Sequence, residues 1–207
     1  MKVLYMKIIN IILLSIFVYI APVNAQDDVE KLKVYVDNLI TQGYDIVNDP
    51  TLTEDQKITR SSALISANLY LDWMAQYSLG RNKRSLSTQK MQEFTEVYSK
   101  FVVRAYAELS KNYSGVKAAI KKVTKVTDNA FIINMEILTT GSDIPVKVDY
   151  LVHKLTKTKQ TSYKVGDIIT EGVSILNSQQ SEFNSIISNQ GIDALIDNLK
   201  EKLSKKN

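Results

Sequence analysis

The chain has 207 residues, 44% of them hydrophobic and 23% charged, with one His and no Cys, the size and balance of one globular domain. The absence of Cys excludes a disulfide framework, thiolate metal or iron–sulfur ligation, a catalytic thiol and a lipid-anchoring cysteine, and a single His excludes multi-histidine metal sites. The net charge is +4, falling to +2 once Lys2 and Lys7 are set aside and 24 Lys and Arg face 22 Asp and Glu, so there is little drive toward phosphate backbones and no nucleic-acid partner is expected.

Residues 1–25 read as a signal peptide. Lys2 and Lys7 flank the start of a fourteen-residue apolar run, Ile8 to Ala21, interrupted only by Asn10 and Ser15. That is short of the roughly 20 residues that span a bilayer. Pro22 ends the run, and the small Val23 and Ala25 predict cleavage after Ala25. The mature chain, 26–207, is expected to be a single soluble, exported domain held together by its core alone.

In chain order, Val29, Leu32, Val36, Leu39 and Ile40 recur at helical spacing, with Gly43 as the expected stop. A turn at Asn48, Asp49 and Pro50 follows, and Thr53 with Gln56 reads as a capping box opening a second helix toward Leu69. The stretch 70–79 holds the only Trp, Trp73, with Met74 and Tyr77; Gly80 closes it, and 81–84 is a short basic loop. Ser87 is a good N-cap for the longest helix, roughly 88–113, with an apolar line of Met91, Phe94, Tyr98, Phe101, Ala105 and Leu109, widened by Val97, Val102 and Tyr106.

Beyond Gly115 the period changes from helical to two. Residues 117–126, 130–139, 144–155 and 162–171 read as four strands with short links at Asp128-Asn129, 141–143 and 157–161, which implies an antiparallel meander. Phe131, Ile133, Met135 and Ile137 share one face of the second strand, and Ile144, Val146, Val148, Tyr150 and Val152 one face of the third. Asn134, Glu136, Lys147, Asp149 and His153 fall on the other, wet face. Ser174 then caps a helix through Leu176, Phe183, Ile186 and Ile187, and Gly191 turns into a last one with Ile192, Leu195, Ile196 and Leu199. Helices, a contiguous sheet and helices again indicate an α+β fold: a curved antiparallel four-stranded sheet covered on one face by helices.

Motifs for chemistry are absent. The seven glycines form neither a dinucleotide fingerprint nor a phosphate loop, Ser174 lacks the second glycine of a nucleophile elbow, and no metal ligand set or cofactor is expected. Residues 49–55 hold three acids but lack the ligand alternation of a calcium loop. Asn112, Tyr113 and Ser114 form a glycosylation triplet that reads better as a helix end. His153 reads as a solvated or hydrogen-bonded surface residue; Asp149 lies about 13 Å along the strand, beyond contact. The apolar faces therefore either fill a core or line an apolar cavity between long helix and sheet, and spacing leaves both open.

From Leu79 onward, signatures in order resemble the MlaC, or toluene-tolerance, family of periplasmic phospholipid-binding proteins. They are Leu79-Gly80; Phe94, Phe101, Tyr106-Ala107, Leu109 and Tyr113-Ser114-Gly115; Ile144-Pro145-Val146 with Val148-Asp149-Tyr150; Tyr163-Lys164-Val165 with Asp167-Ile168; and Glu171-Gly172-Val173-Ser174, then Phe183 and Gly191-Ile192-Asp193-Ala194-Leu195. Tyr163 stands where the family commonly has Trp, Gln180 where it often has Arg, and the basic loop 81–84 replaces a segment that often holds an aromatic. The resemblance implies a non-enzymatic periplasmic carrier. Its fold would be a nuclear-transport-factor-like cone, and it would exchange glycerophospholipid with an inner-membrane MCE-domain ABC transporter and an outer-membrane lipoprotein–porin complex, so maintaining outer-membrane lipid asymmetry. The expected pocket wall is Phe94, Phe101, Tyr106, Ile133, Met135, Val148, Tyr150, Val152, Ile169 and Val173. The alternative is a small-molecule binder or an isomerase- or hydrolase-type enzyme using the same cavity.

Overall fold

Alternating side chains decide the sheet. A computed structural model describes residues 23–110, 115–138, 143–158 and 160–205, with side chains from Asp27 onward. Most of the expected signal peptide and the Asn112-Tyr113-Ser114 triplet lie outside the described residues. Strands β1 (Lys117–Thr127), β2 (Ala130–Leu138), β3 (Val146–Lys157), β4 (Gln160–Thr170) and the two-residue β5 (Val173–Ser174) form one antiparallel sheet in sequence order. The four expected strands are present, and β5 is an addition.

The register pairs Phe131 with Val152, Ile133 with Tyr150 and Met135 with Val148, so the apolar faces of β2 and β3 coincide. Across β3 and β4, Val152 pairs with Val165 but Leu151 pairs with Asp167, leaving Gly166 as an extra residue. This bulge shifts the alternation of β4 by one residue. Val165 faces the core before it, and Ile168, opposite Tyr150, faces inward after it. Ile169, opposite Asp149, is turned to the other face.

Helix α1 (Val23–Asn48) continues through Gly43 rather than ending there. A glycine inside a helix costs only about 1 kcal/mol, and the turn beyond it places Val47 in the core and Asn48 Oδ1 within reach of the Gly115 N–H, at 3.3 Å. Helix α2 (Glu54–Asn68) opens on the capping box: Thr53 Oγ1 accepts from the Gln56 N–H at 3.3 Å, and the Thr53 N–H donates to Gln56 Oε1 at 2.8 Å.

Helix α3 (Leu71–Ser78) is anchored to the sheet edge, where the Tyr70 N–H donates to the Val165 carbonyl at 2.8 Å. Trp73 thereby covers His153, with ring centres 4.4 Å apart, and Tyr70 closes on the same ring at 5.5 Å. His153 lies on the face expected, but half-buried beneath α3 rather than solvated.

The basic segment forms a 3-10 turn, Gly80–Ser85, before α4 (Thr88–Ser110), whose N-cap is Ser87. Ser174 caps α5 (Ile175–Ser204), which breaks at Gly191 in a left-handed conformation that divides it into two helical halves. Buried Asp167 ties β4 to this helix start, accepting from Ser174 Oγ at 2.5 Å and the Leu176 N–H at 3.1 Å. Between α4 and α5, Phe94 stacks on Tyr98, and both meet Phe183 edge-on at 6.2 and 6.1 Å. With Met74, Leu79, Leu195, Ile196 and Leu199 buried around them, these rings make a helical core beside the helix–sheet core.

Gly166 tests the seam between α3 and the sheet. A Cβ there would lie 2.7 Å from the His153 ring and 3.0 Å from Trp73. Gly166→Ala is expected to destabilise the fold by about 1–3 kcal/mol, read as a lower urea midpoint with an unchanged m-value.

A candidate apolar binding cavity

The helices do not fill the whole inner face of the sheet. A cavity of about 260 Å³ remains between the second half of α1, the middle of α2, the end of α4 and the strands. Helix α1 supplies Leu39, Ile40, Gly43, Tyr44 and Val47; α2 supplies Ser61 and Leu64; α4 supplies Tyr106, Leu109 and Ser110. The sheet side is Ala118, Ile137, Val148, Tyr150, Ile168 and Thr170, with Val116 and Ile175 at the ends. Tyr44 and Leu109 are 44% and 48% exposed, which places the mouth between α1 and α4.

Among the described residues no lining residue is charged. The polar side chains described at the wall carry hydroxyls, and two of them are joined: Ser110 Oγ donates to the Ala107 carbonyl at 2.7 Å and lies 3.2 Å from Ser61 Oγ. Burial pushes the nearby Tyr35 phenol up to about 12 and the Tyr98 phenol also upward, so both remain neutral. Among the described residues no group of three or more His, Asp or Glu could hold a metal. The only His is on the opposite sheet face, where Asp149 accepts a hydrogen bond from Asn134 Nδ2 at 2.8 Å. A site of this composition can take up apolar matter by excluding water, and its described residues include no acid–base pair.

The structure redraws the expected wall. Tyr106, Val148 and Tyr150 line the cavity. Phe94 lies in the helical core, stacked on Tyr98, because the α4 stripe serves α5 near its start and the cavity near its end. Ile133, Met135 and Val152 share the inner face but are packed in the filled part of the core. Phe101 is half-buried beneath Lys202, whose Nζ is 5.6 Å from its ring centre. Ile169 is displaced by the Gly166 bulge, and Ile168 takes its place. Val173, on β5, is 60% exposed. The α1 and α2 contributions were missed; the stripe Leu39, Ile40, Val47 was the signal that could have found them.

Fold and cavity together define a class, an α+β domain with an apolar cavity between a curved sheet and its covering helices. The family model described as MlaC protein matches residues 37–201, and the chain belongs to the MlaC family. Among curated relatives it is similar to the intermembrane phospholipid transport system binding protein MlaC of Haemophilus influenzae, 28% identical over 148 residues that make up 71% of this chain and 67% of the relative. Among solved structures it shares the fold of the phospholipid-binding protein from Ralstonia solanacearum, determined in complex with a phospholipid. That match has a TM-score of 0.66 and 20% identity over 84% of this chain and 94% of the other.

His153 supplies a pH test of the aromatic cover outside the cavity. Its Nε2 is buried with no hydrogen-bond partner among the described residues, and burial holds the imidazole below its ordinary 6.5. The unfolded chain therefore binds the proton first, so stability falls as pH drops through about 6.5 and is fully present above it. Urea midpoints measured from pH 7.5 to 5.5 are expected to decline for the wild type, and the decline is expected to be shallower for His153→Phe.

Proposed function

We propose that this chain is a non-enzymatic periplasmic carrier that takes glycerophospholipid acyl chains into the cavity and shuttles lipid between complexes of the outer and inner membranes. In this reading residues 1–25 are removed on export and 26–207 form the carrier domain. The partners are an MCE-domain ABC transporter and a lipoprotein–porin complex, and the traffic maintains outer-membrane lipid asymmetry. One observation carries the proposal: a cavity between sheet and helices with no charged residue among the described residues of its wall. Family membership, the relative's printed name and the phospholipid in the Ralstonia structure support it. No helix among the described residues is long and apolar enough to cross a membrane.

The energetics favour such a carrier. At about 0.8 kcal/mol per methylene, two sixteen-carbon chains stand to lose roughly 25 kcal/mol on exposure to water, so lipid crosses an aqueous gap only under cover. A cavity of about 150 Å³ receives one benzene, and by that ratio 260 Å³ holds about ten carbons. A whole phospholipid therefore requires the cavity to widen. The mouth between Tyr44 and Leu109 is where α1 and α4 can part without breaking the helical core. The head group stays at this mouth.

Solvent extraction of the purified protein followed by mass spectrometry is expected to release phospholipid. Val148→Arg, which drives a cation into the wall, should remove that phospholipid. Ala118→Phe, which fills the cavity without adding charge, should reduce it severalfold while the far-ultraviolet circular dichroism is unchanged. Absence of phospholipid from the wild type, or full loading of both variants, contradicts the proposal.

A further inference from the structure

We infer that the groove between the 3-10 turn Gly80–Ser85 and α5 is a docking site for an acidic, extended segment of a partner protein. The groove is lined by Gly80, Arg81, Asn82, Lys83 and Arg84 on one side and by Gln180, Asn184 and Ser188 on the other. Arg81, Lys83 and Arg84 are exposed, and none makes an ion pair or side-chain hydrogen bond among the described residues. The chain treats many of its other cations differently. Lys31, Lys57, Lys90, Lys100, Lys154 and Lys200 each pair with a carboxylate, and Arg104 donates to the carbonyls of Leu203 and Lys205. Three unpaired cations within four residues make a local positive field that a carboxylate-bearing partner neutralises.

The floor of the groove selects the kind of partner. Asn82 Nδ2 donates to Asn184 Oδ1 at 2.7 Å, and Gln180 Nε2 donates to the Tyr77 carbonyl at 2.5 Å. These bonds fix the two amide side chains of α5 in place. They leave Asn184 Nδ2 as a donor and Asn82 Oδ1 and Gln180 Oε1 as acceptors, the complement of an extended peptide backbone. Gly80 has φ +55°, and a Cβ there would lie 3.3 Å from Gln180 Nε2, so the close approach of turn and helix is built into the backbone. A flat lipid surface could touch the three cations but would not reach amides at the bottom of a groove; a chain segment reaches both.

The position suits docking during transfer. Helix α4 starts beside this turn and reaches the cavity at Tyr106, Leu109 and Ser110, so the two sites are about 25–30 Å apart at about 1.5 Å per residue. A partner held at the groove leaves the mouth unobstructed. The inference rests on the groove alone and stands whether or not the cavity carries phospholipid.

The test uses the full mature chain and a fluorescently labelled ten-residue polyglutamate peptide, with anisotropy read at low and physiological salt. The wild type is expected to bind in a salt-sensitive manner. Arg81→Glu with Arg84→Glu should weaken binding about tenfold, as expected for the loss of two ion pairs and their reversal. The matched reversal Lys117→Glu with Lys122→Glu, on exposed β1 positions, should change binding less than about twofold. Gln180→Ala with Asn184→Ala, which leaves every charge in place, should weaken it about threefold. No peptide binding by the wild type, equal loss in the two reversal variants, or no effect of the amide variant overturns the inference. So does sedimentation with phosphatidylglycerol vesicles that depends on Arg81 and Arg84, which would assign the groove to a membrane. Phospholipid content measured on the same preparations is expected to be equal in all of them, separating this result from the fate of the carrier proposal.

Discussion

Phe94 and Tyr98 lie one turn apart on α4, and both meet the Phe183 ring of α5 edge-on, so the start of α4 is committed to a helical partner. Tyr98 reinforces the contact through its hydroxyl, which donates to Gln179 Oε1 at 2.8 Å. A helix held this way cannot also lie along the sheet. Helix α4 packs mainly on α2, α3 and α5, and only its far end, at Tyr106, Leu109 and Ser110, comes over the inner face of the strands. The cavity is the space left by that geometry.

The opposite wall is held by a different device. Asp167 binds the start of α5 to β4, and the Gly166 bulge turns Ile168 inward just before it. Helix α1 closes the remainder, with Leu32 and Val36 fully buried and Lys154 bonded to Asp28 at 2.6–2.7 Å. From Leu39 to Val47 the same helix borders the cavity. The cavity is thus flanked by two well-filled regions, the aromatic helical packing and the α1–sheet packing. Sealed, an empty space of 260 Å³ would cost up to about 6 kcal/mol at about 24 cal/mol per Å³, a large part of the 5–15 kcal/mol by which domains are stable. An apolar ligand offsets that cost.

Much of this was legible in the residues. Period-two alternation located β1 to β4 and the inner faces of β2 and β3, Thr53 with Gln56 announced the start of α2, and Gly191 marked the break in α5. What alternation and helical spacing do not encode is which apolar residue meets which partner. Phe94 and Tyr106 belong to one stripe, yet one is in a filled core and the other at the cavity. Ile169 was expected in the wall, but a single extra residue at Gly166 turns it to the far face. His153 was on the face expected, but α3 crosses the sheet edge to cover it, a tertiary contact that local pattern does not carry. Gly43 is a helix stop by composition alone; the burial of Val47 beyond it outweighs that preference.

The central claim is that acyl chains occupy the space under Tyr106, Val148 and Ile168 rather than any other part of the molecule. A phospholipid carrying a photoactivatable group near the end of one acyl chain, loaded into the purified protein, irradiated and mapped by peptide mass spectrometry, reads this directly. The account predicts adducts on the peptides that contain those three residues and on the Leu39–Val47 segment of α1. Adducts confined to the Phe94–Phe183 core or to the exposed outer face of the sheet, or none above an unirradiated control, would contradict it.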